Sequence, residues 1–209
     1  MRRSSWVLLV SLLFFGGQAM AVEEPRYDVT LRDGAFEVRD YPALVAAQVQ
    51  VDGDQDKAGN SGFRLLAGYI FGGNERRESI AMTAPVVQSK GGGEKIAMTA
   101  PVTQTLNNGL WTVRFIMPRG YTIASLPVPN DARVKLVPIA PARIAVLRFS
   151  GLAFEHDVAE RTDELRSFLA KHELHPGGPA SLARYDPPWT LWFLRRNEIM
   201  IPLQEAGAH

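Results

Sequence analysis

A chain of 209 residues with a formal charge of +1 has no basic excess that would point to nucleic acid or to an anionic membrane surface. It contains no cysteine, which excludes disulfides, a thiol nucleophile, thiolate metal sites, a CxxCH haem attachment and a lipidated cysteine. Its histidines, His156, His172, His175 and His209, form no HExxH pair, so classical metalloprotease chemistry is also excluded.

The first residues read as a leader. Arg2 and Arg3 precede the apolar run Trp6 to Phe15, and Ala19-Met20-Ala21 sets small residues where a signal peptidase reads. Cleavage after Ala21 is expected, with residues 22–209 forming one exported domain, periplasmic or secreted. A run of about ten apolar residues falls short of the ~20 that a spanning helix needs, so no stable membrane insertion is expected after cleavage. Arg2-Arg3 matches only part of a twin-arginine signal. The mature chain would keep 188 residues and a formal charge of −1, enough length for a substantial core.

Tyr27 to Tyr41 reads as one or two extended segments, and Tyr41-Pro42 as a turn. Ala43 to Val51 then alternates apolar and polar residues at the period of a half-buried strand. The polar stretch Asp52 to Gly62 is expected to end that strand. Phe63, Leu66, Ala67 and Ile70 recur at helical spacing before Gly72-Gly73-Asn74, which predicts a helix over Gly62 to Phe71.

Extended segments follow at Ile80 to Val87, Ile96 to Thr103 and Trp111 to Met117. The order then repeats: Val134 to Ile139 extended, Pro141 a turn, Ile144 to Phe149 a strand, and a helix whose face is Val158, Thr162, Leu165, Phe168 and Leu169. Ser181 to Tyr185 and Leu191 to Pro202 close the series as extended segments. Pro42 and Pro141 hold equivalent points. The pattern predicts an α+β domain, an antiparallel distorted β-barrel from two pseudo-symmetric βαββ-type units with two helices packed on it.

One phrase occurs twice. Glu78 to Gln88 (ESIAMTAPVVQ) and Glu94 to Gln104 (EKIAMTAPVTQ) differ at two of eleven positions and flank a tip containing Gly91-Gly92-Gly93. Ile, Met, Ala and Val of each copy would share one face of an extended chain, and Pro85 and Pro101 suit an edge or a bulge. A hairpin with packed methionines explains this spacing without ligand chemistry.

Three separated motifs then converge. Tyr69-Ile70-Phe71-Gly72-Gly73-Asn74, the doubled IAMTAPV, and Tyr185-Asp186-Pro187-Pro188-Trp189 with Phe193-Leu194-Arg195-Arg196-Asn197-Glu198 together resemble the SOUL haem-binding protein family over Tyr27 to Pro202. The resemblance implies the barrel described above and an apolar surface beside the first helix that accepts haem or another porphyrin. The matching residues are Phe63, Leu66, Ala67 and Ile70, a stripe that core packing alone would also produce. Arg64 is the first candidate for a propionate partner, with Arg195 or Arg196 behind it, because guanidinium meets carboxylate in a two-pronged geometry.

No histidine precedes His156, so a histidine axial ligand on the first helix is not expected. Burial of roughly 400 Å² of apolar surface at ~25 cal/mol/Å², set against an association cost of about 4 kcal/mol or more, is compatible with reversible micromolar binding. The expected role is a tetrapyrrole carrier, buffer or sensor, with no catalytic residue and no protein-held metal. Two alternatives stay open. One is a small-molecule hydrolase of the related gyrase-inhibitory-protein-like fold, with Glu198 as a base of raised pKa and Tyr121 or Tyr185 as partners. The other is a protein-interaction module that uses the Trp189-Thr190-Leu191-Trp192-Phe193 run.

Overall fold

The computed structural model describes residues 23–75, 101–107, 109–186 and 190–204. Its strands are β1 (Asp28–Asp33), β2 (Phe36–Tyr41), β3 (Leu44–Val51), β4 (Val102–Asn107), β5 (Leu110–Ile116), β6 (Lys135–Ile139), β7 (Ala142–Ser150), β8 (Ser181–Arg184) and β9 (Arg196–Pro202). Helix α1 (Gln55–Ile70) lies between β3 and β4, and α2 (Glu155–Lys171) between β7 and β8.

The strands form one antiparallel sheet in the order β1-β2-β7-β9-β8-β4-β5-β3-β6. Leaving β1 aside, this order reads symmetrically about the β8–β4 pair: β9 answers β5, β7 answers β3, and β2 answers β6. The expected pseudo-twofold duplication is present. The leading strand of each unit is exchanged, because β2, which precedes β3, pairs with β7, while β6, which precedes β7, pairs with β3.

Both helices cover the same face of the sheet. Leu66, Tyr69 and Ile70 of α1 pack on Ala47, Val49, Val113 and Phe115. Leu165, Phe168 and Leu169 of α2 pack on Val38, Ala145, Leu147, Ile199 and Ile201. The period-two alternation that puts these strand residues under the helices turns Arg39, Tyr41, Arg114, Tyr185, Arg196, Glu198 and Met200 to the opposite face.

Two boundaries differ from expectation. Helix α1 begins at Gln55, seven residues before Gly62, capped by Asp54, whose Oδ1 accepts the Lys57 N–H at 2.8 Å. Gly62 reads as a breaker in sequence, yet a Cβ there would lie 2.5 Å from Val113 Cγ2. Close approach of helix to β5 therefore requires glycine inside the helix, and packing outweighs a propensity cost of about 1 kcal/mol. The helix ends as expected: Gly72 has φ 111°, and the Gly72 and Gly73 N–H groups return to the Tyr69 and Gly68 carbonyls.

The second difference is at Leu191 to Pro202. Only its end is a strand, β9; Trp192–Leu194 is a 3-10 turn closed by Leu194 N–H to Leu191 O at 2.9 Å. An unbroken apolar run lacks the alternation that fixes a strand face. The doubled phrase lies outside the described residues up to Ala100; its last part, from Val102, enters β4.

Candidate functional site

The sequence-predicted residues divide by depth. Leu66 and Ile70 are fully buried, at 0% and 1% exposure, inside the cluster between α1 and the sheet. Phe63 is half-buried, its ring centroid 5.3 Å from that of Phe115. Ala67, one turn on, is also half-buried, and Phe71 beyond it is 53% exposed. Phe63, Ala67 and Phe71, four residues apart, follow one another along the helix edge. Arg64 is exposed, with Nη2 3.5 Å from Ser61 Oγ. The α1 edge thus combines an apolar strip with an adjacent cation.

The histidines described by the structure lie elsewhere. His156 is exposed in the first turn of α2 with Nε2 3.1 Å from Asp157. His172 caps the end of α2 against Phe168, with Nε2 buried and unpartnered, and His175 follows it. None lies on α1. Among the described residues, no cluster of three or more His, Cys, Asp or Glu could hold a metal ion. The donor set of the α1 edge therefore fits a flat apolar ring bearing carboxylates, without a histidine ligand from that helix.

A second constellation occupies the opposite face of the sheet. Glu198 on β9 has no exposed surface, and Arg39 on β2 is 2% exposed. Glu198 Oε2 accepts from Arg39 Nη1 at 2.8 Å and from the Tyr185 hydroxyl at 2.6 Å. Its Oε1 accepts from Arg39 Nη2 at 3.0 Å and from Arg196 Nη2 and Nε at 2.8 and 3.1 Å. Arg39 also donates to Glu37 and to the Tyr41 hydroxyl.

The electrostatics correct one expectation. Burial opposes ionisation of Glu198, but hydrogen bonds and charge from Arg39, then Tyr185 and Arg196, outweigh it, so the carboxyl is held below its ordinary value of 4.5. A general base with a pKa raised toward neutrality is the reverse of this. Burial and the Glu198 charge push the Tyr185 phenol well above its usual range, and burial pushes Tyr41 up to about 12. Tyr121, the other hydroxyl considered, packs against the α1 cluster, away from Glu198.

A strap of residues 23–27 lies over this face. Glu23 Oε1 accepts from Arg119 Nε at 2.6 Å, and both Glu24 carboxylate oxygens accept from Arg196 Nη1 at 3.0 Å. Tyr27 sets its ring 4.3 Å from the Arg39 guanidinium and 5.2 Å from the Tyr41 ring. Sequence reasoning named Arg196 as a candidate propionate partner and Glu198 as a candidate base, and missed Glu24, Tyr27, Arg39 and Tyr41. The one available signal was Glu37, Arg39 and Tyr41 at alternate positions, which resembles an ordinary solvated strand face.

Solved structures share this fold. A hydrolase from Listeria innocua superposes with a TM-score of 0.53 at 15% identity, covering 84% of this chain and 94% of that one. The EcmrR C-terminal domain gives 0.55 at 9% identity, covering 86% and 99%. These likenesses show a shared α+β architecture, one antiparallel sheet carrying two helices.

Sequence places the chain within that architecture. The SOUL heme-binding protein model matches residues 22–202, and the chain belongs to this family. Heme-binding protein 1 of Xenopus laevis is 26% identical over 175 residues, 79% of this chain and 87% of its own length. Heme-binding protein 2 of Mus musculus is 37% identical over 76 residues, 34% of this chain and 37% of that protein.

Proposed function

We propose that this protein binds haem or a related tetrapyrrole reversibly along the outer edge of α1, as a carrier, buffer or sensor. The observation that carries the reading is the strip Phe63, Ala67 and Phe71 with the exposed Arg64 beside it, in a chain whose family is haem-binding. The ring supplies a flat apolar surface, its carboxylates an anionic rim. Phe63 and Phe71 would meet the first and Arg64 the second. Leu66 and Ile70 support the edge from beneath. With no histidine on α1, the iron gains nothing from that helix, and the metal-free ring should bind about as well as hemin.

The role is binding and not catalysis on this reading, since Glu198, the one fully buried carboxylate among the described residues, is saturated by donors. We also propose export: a leader ending at Ala21 would release a mature chain starting at Val22, one residue before the strap. Amino-terminal sequencing of a periplasmic fraction tests that, and a retained Met1 in the cytoplasm would refute it. For the ligand, purified mature protein is titrated with hemin, metal-free protoporphyrin and a size-matched apolar dye. Similar micromolar binding of both porphyrins is expected; no porphyrin binding below ~100 μM would end the proposal.

One observation favours a second use of the surface. Leu191, Trp192, Phe193 and Leu194 are 59%, 58%, 52% and 62% exposed, an apolar patch of the kind that marks contact with another protein. Loss of a pulled-down partner on changing Trp192 and Phe193 to Ser, with porphyrin binding intact, would separate the two roles.

A further inference from the structure

The strap supplies two chemical groups to the charged face, and both look like parts of a ligand. Glu24 offers a carboxylate to Arg196, and Tyr27 offers an aromatic ring to Arg39 and Tyr41. We propose that Arg196 and the aromatic floor beside it form a receptor for a small carboxylate carrying an aromatic or apolar body, and that Glu24 and Tyr27 occupy this receptor in cis. The site is distinct from the α1 edge and does not depend on tetrapyrrole binding.

Arg196 is built for the task. Its Nε and Nη2 are committed to the buried Glu198, and its guanidinium carbon sits 3.7 Å from the centroid of the Tyr185 ring. Its backbone N–H is fixed by Asp186 Oδ2 at 2.6 Å. The side chain is only 17% exposed, and Nη1 is the nitrogen that faces the strap. A cation held in three ways loses little freedom when a carboxylate arrives. Below it, Tyr41, Leu44, Ile144, Tyr185 and Met200 make an apolar bed.

Within the strap, the Glu24 contact is the weak one. Glu24 is 40% exposed, and a pair with such exposure contributes little, so exchange for another carboxylate changes the free energy little. Charge selects the ligand class. Glu198 is shared by Arg39 and Arg196, and Glu37 answers Arg39 and Arg32. Removing Glu24 leaves Nη1 of Arg196 without its anion, which an incoming carboxylate restores and an amide or a cation does not.

The test uses the mature protein and 3-phenylpropionate, with 3-phenylpropionamide as the neutral match. Binding is read by calorimetry and by the side-chain Nε–Hε resonance of Arg196. Glu24→Gln should tighten the carboxylate about fivefold relative to wild type, leave the amide unchanged, and shift the Arg196 resonance on titration. Adding Arg196→Lys to Glu24→Gln, which keeps the charge but loses the fork, should remove the gain. Equal carboxylate affinity in wild type and Glu24→Gln overturns the proposal. So does an equal gain for the amide, since that would report loosening of the strap and not a carboxylate site. Thermal melting of both variants confirms that folded protein is compared.

Discussion

The two helices occupy equivalent places in a duplicated scaffold, but their outer surfaces differ. Both bury an apolar stripe: Leu66, Tyr69 and Ile70 on α1, Leu165, Phe168 and Leu169 on α2. The outside of α2 carries the pairs Arg161–Glu164, Arg166–Asp163 and Lys171–Asp33, a solvated, self-compensated surface. The outside of α1 carries Arg64, the open Gly68 and the apolar edge ending at Phe71, and among the described residues its ion pairs, Lys57–Asp54 and Asp56–Arg184, both lie at its start. Duplication fixes the packed side of a helix and leaves the other side free to diverge, here toward ion pairing on one unit and toward an exposed apolar edge on the other.

The comparison can be broken first at the sheet between the helices. Glu198→Ala should destabilise by about 3–5 kcal/mol, because Arg39 would stay buried with its bidentate partner removed and Glu37 alone as its anion; equilibrium denaturation measures it. The pH dependence follows from the same group. Its folded pKa is depressed below 4.5, so its contribution is fully present above the unfolded value and is lost as pH falls through the folded one. Wild type should lose stability below pH ~4.5 more steeply than Glu198→Gln.

The packed sides should behave alike. Leu66→Ala and Leu165→Ala, both at sites with 0% exposure, should each cost about 2–5 kcal/mol. A much smaller loss at Leu66 would mean that the α1 core is looser than its counterpart. The outer sides should not match. Phe63→Asp should weaken porphyrin binding about tenfold or more, equivalent to ~1.4 kcal/mol, while Ala159→Asp on exposed α2 leaves the fluorescence titration unchanged. Equal effects would erase the proposed division of labour.

The smallest difference concerns the helix starts. Asp54→Ala should cost about 1 kcal/mol, because its side chain accepts the Lys57 N–H. Phe154, at the same place on α2, has extended backbone angles and no side-chain cap hydrogen bond. Phe154→Asn should therefore stabilise the protein by up to ~1 kcal/mol in thermal or denaturant melts.

Most of the architecture was legible because local patterns repeat. Alternation in Ala43 to Val51 and Ile144 to Phe149, the α2 stripe, and the turn prolines each name an element. The repeat of their order names the duplication. The start of α1 was hidden because Gly62 serves the approach of Val113 from another element, and a window of sequence sees only its low helix propensity. The candidate site was legible in part. Phe63, Leu66, Ala67 and Ile70 were found as a stripe, but periodicity does not separate Leu66 and Ile70, at the bottom of the core, from Phe63 and Ala67 at its edge. The Arg39–Glu198 pair joins residues 159 positions apart, beyond the reach of any local pattern.

The exchange of leading strands carries a consequence for how the chain can be divided. A fragment containing one unit would keep its own helix but leave β7 or β3 with an unpaired edge, because the strand that completes it comes from the other unit. Two copies of such a fragment could satisfy each other only by trading those strands, a reciprocal handshake with twofold closure. The single chain is therefore organised like a twofold pair whose two partners happen to be written on one polypeptide.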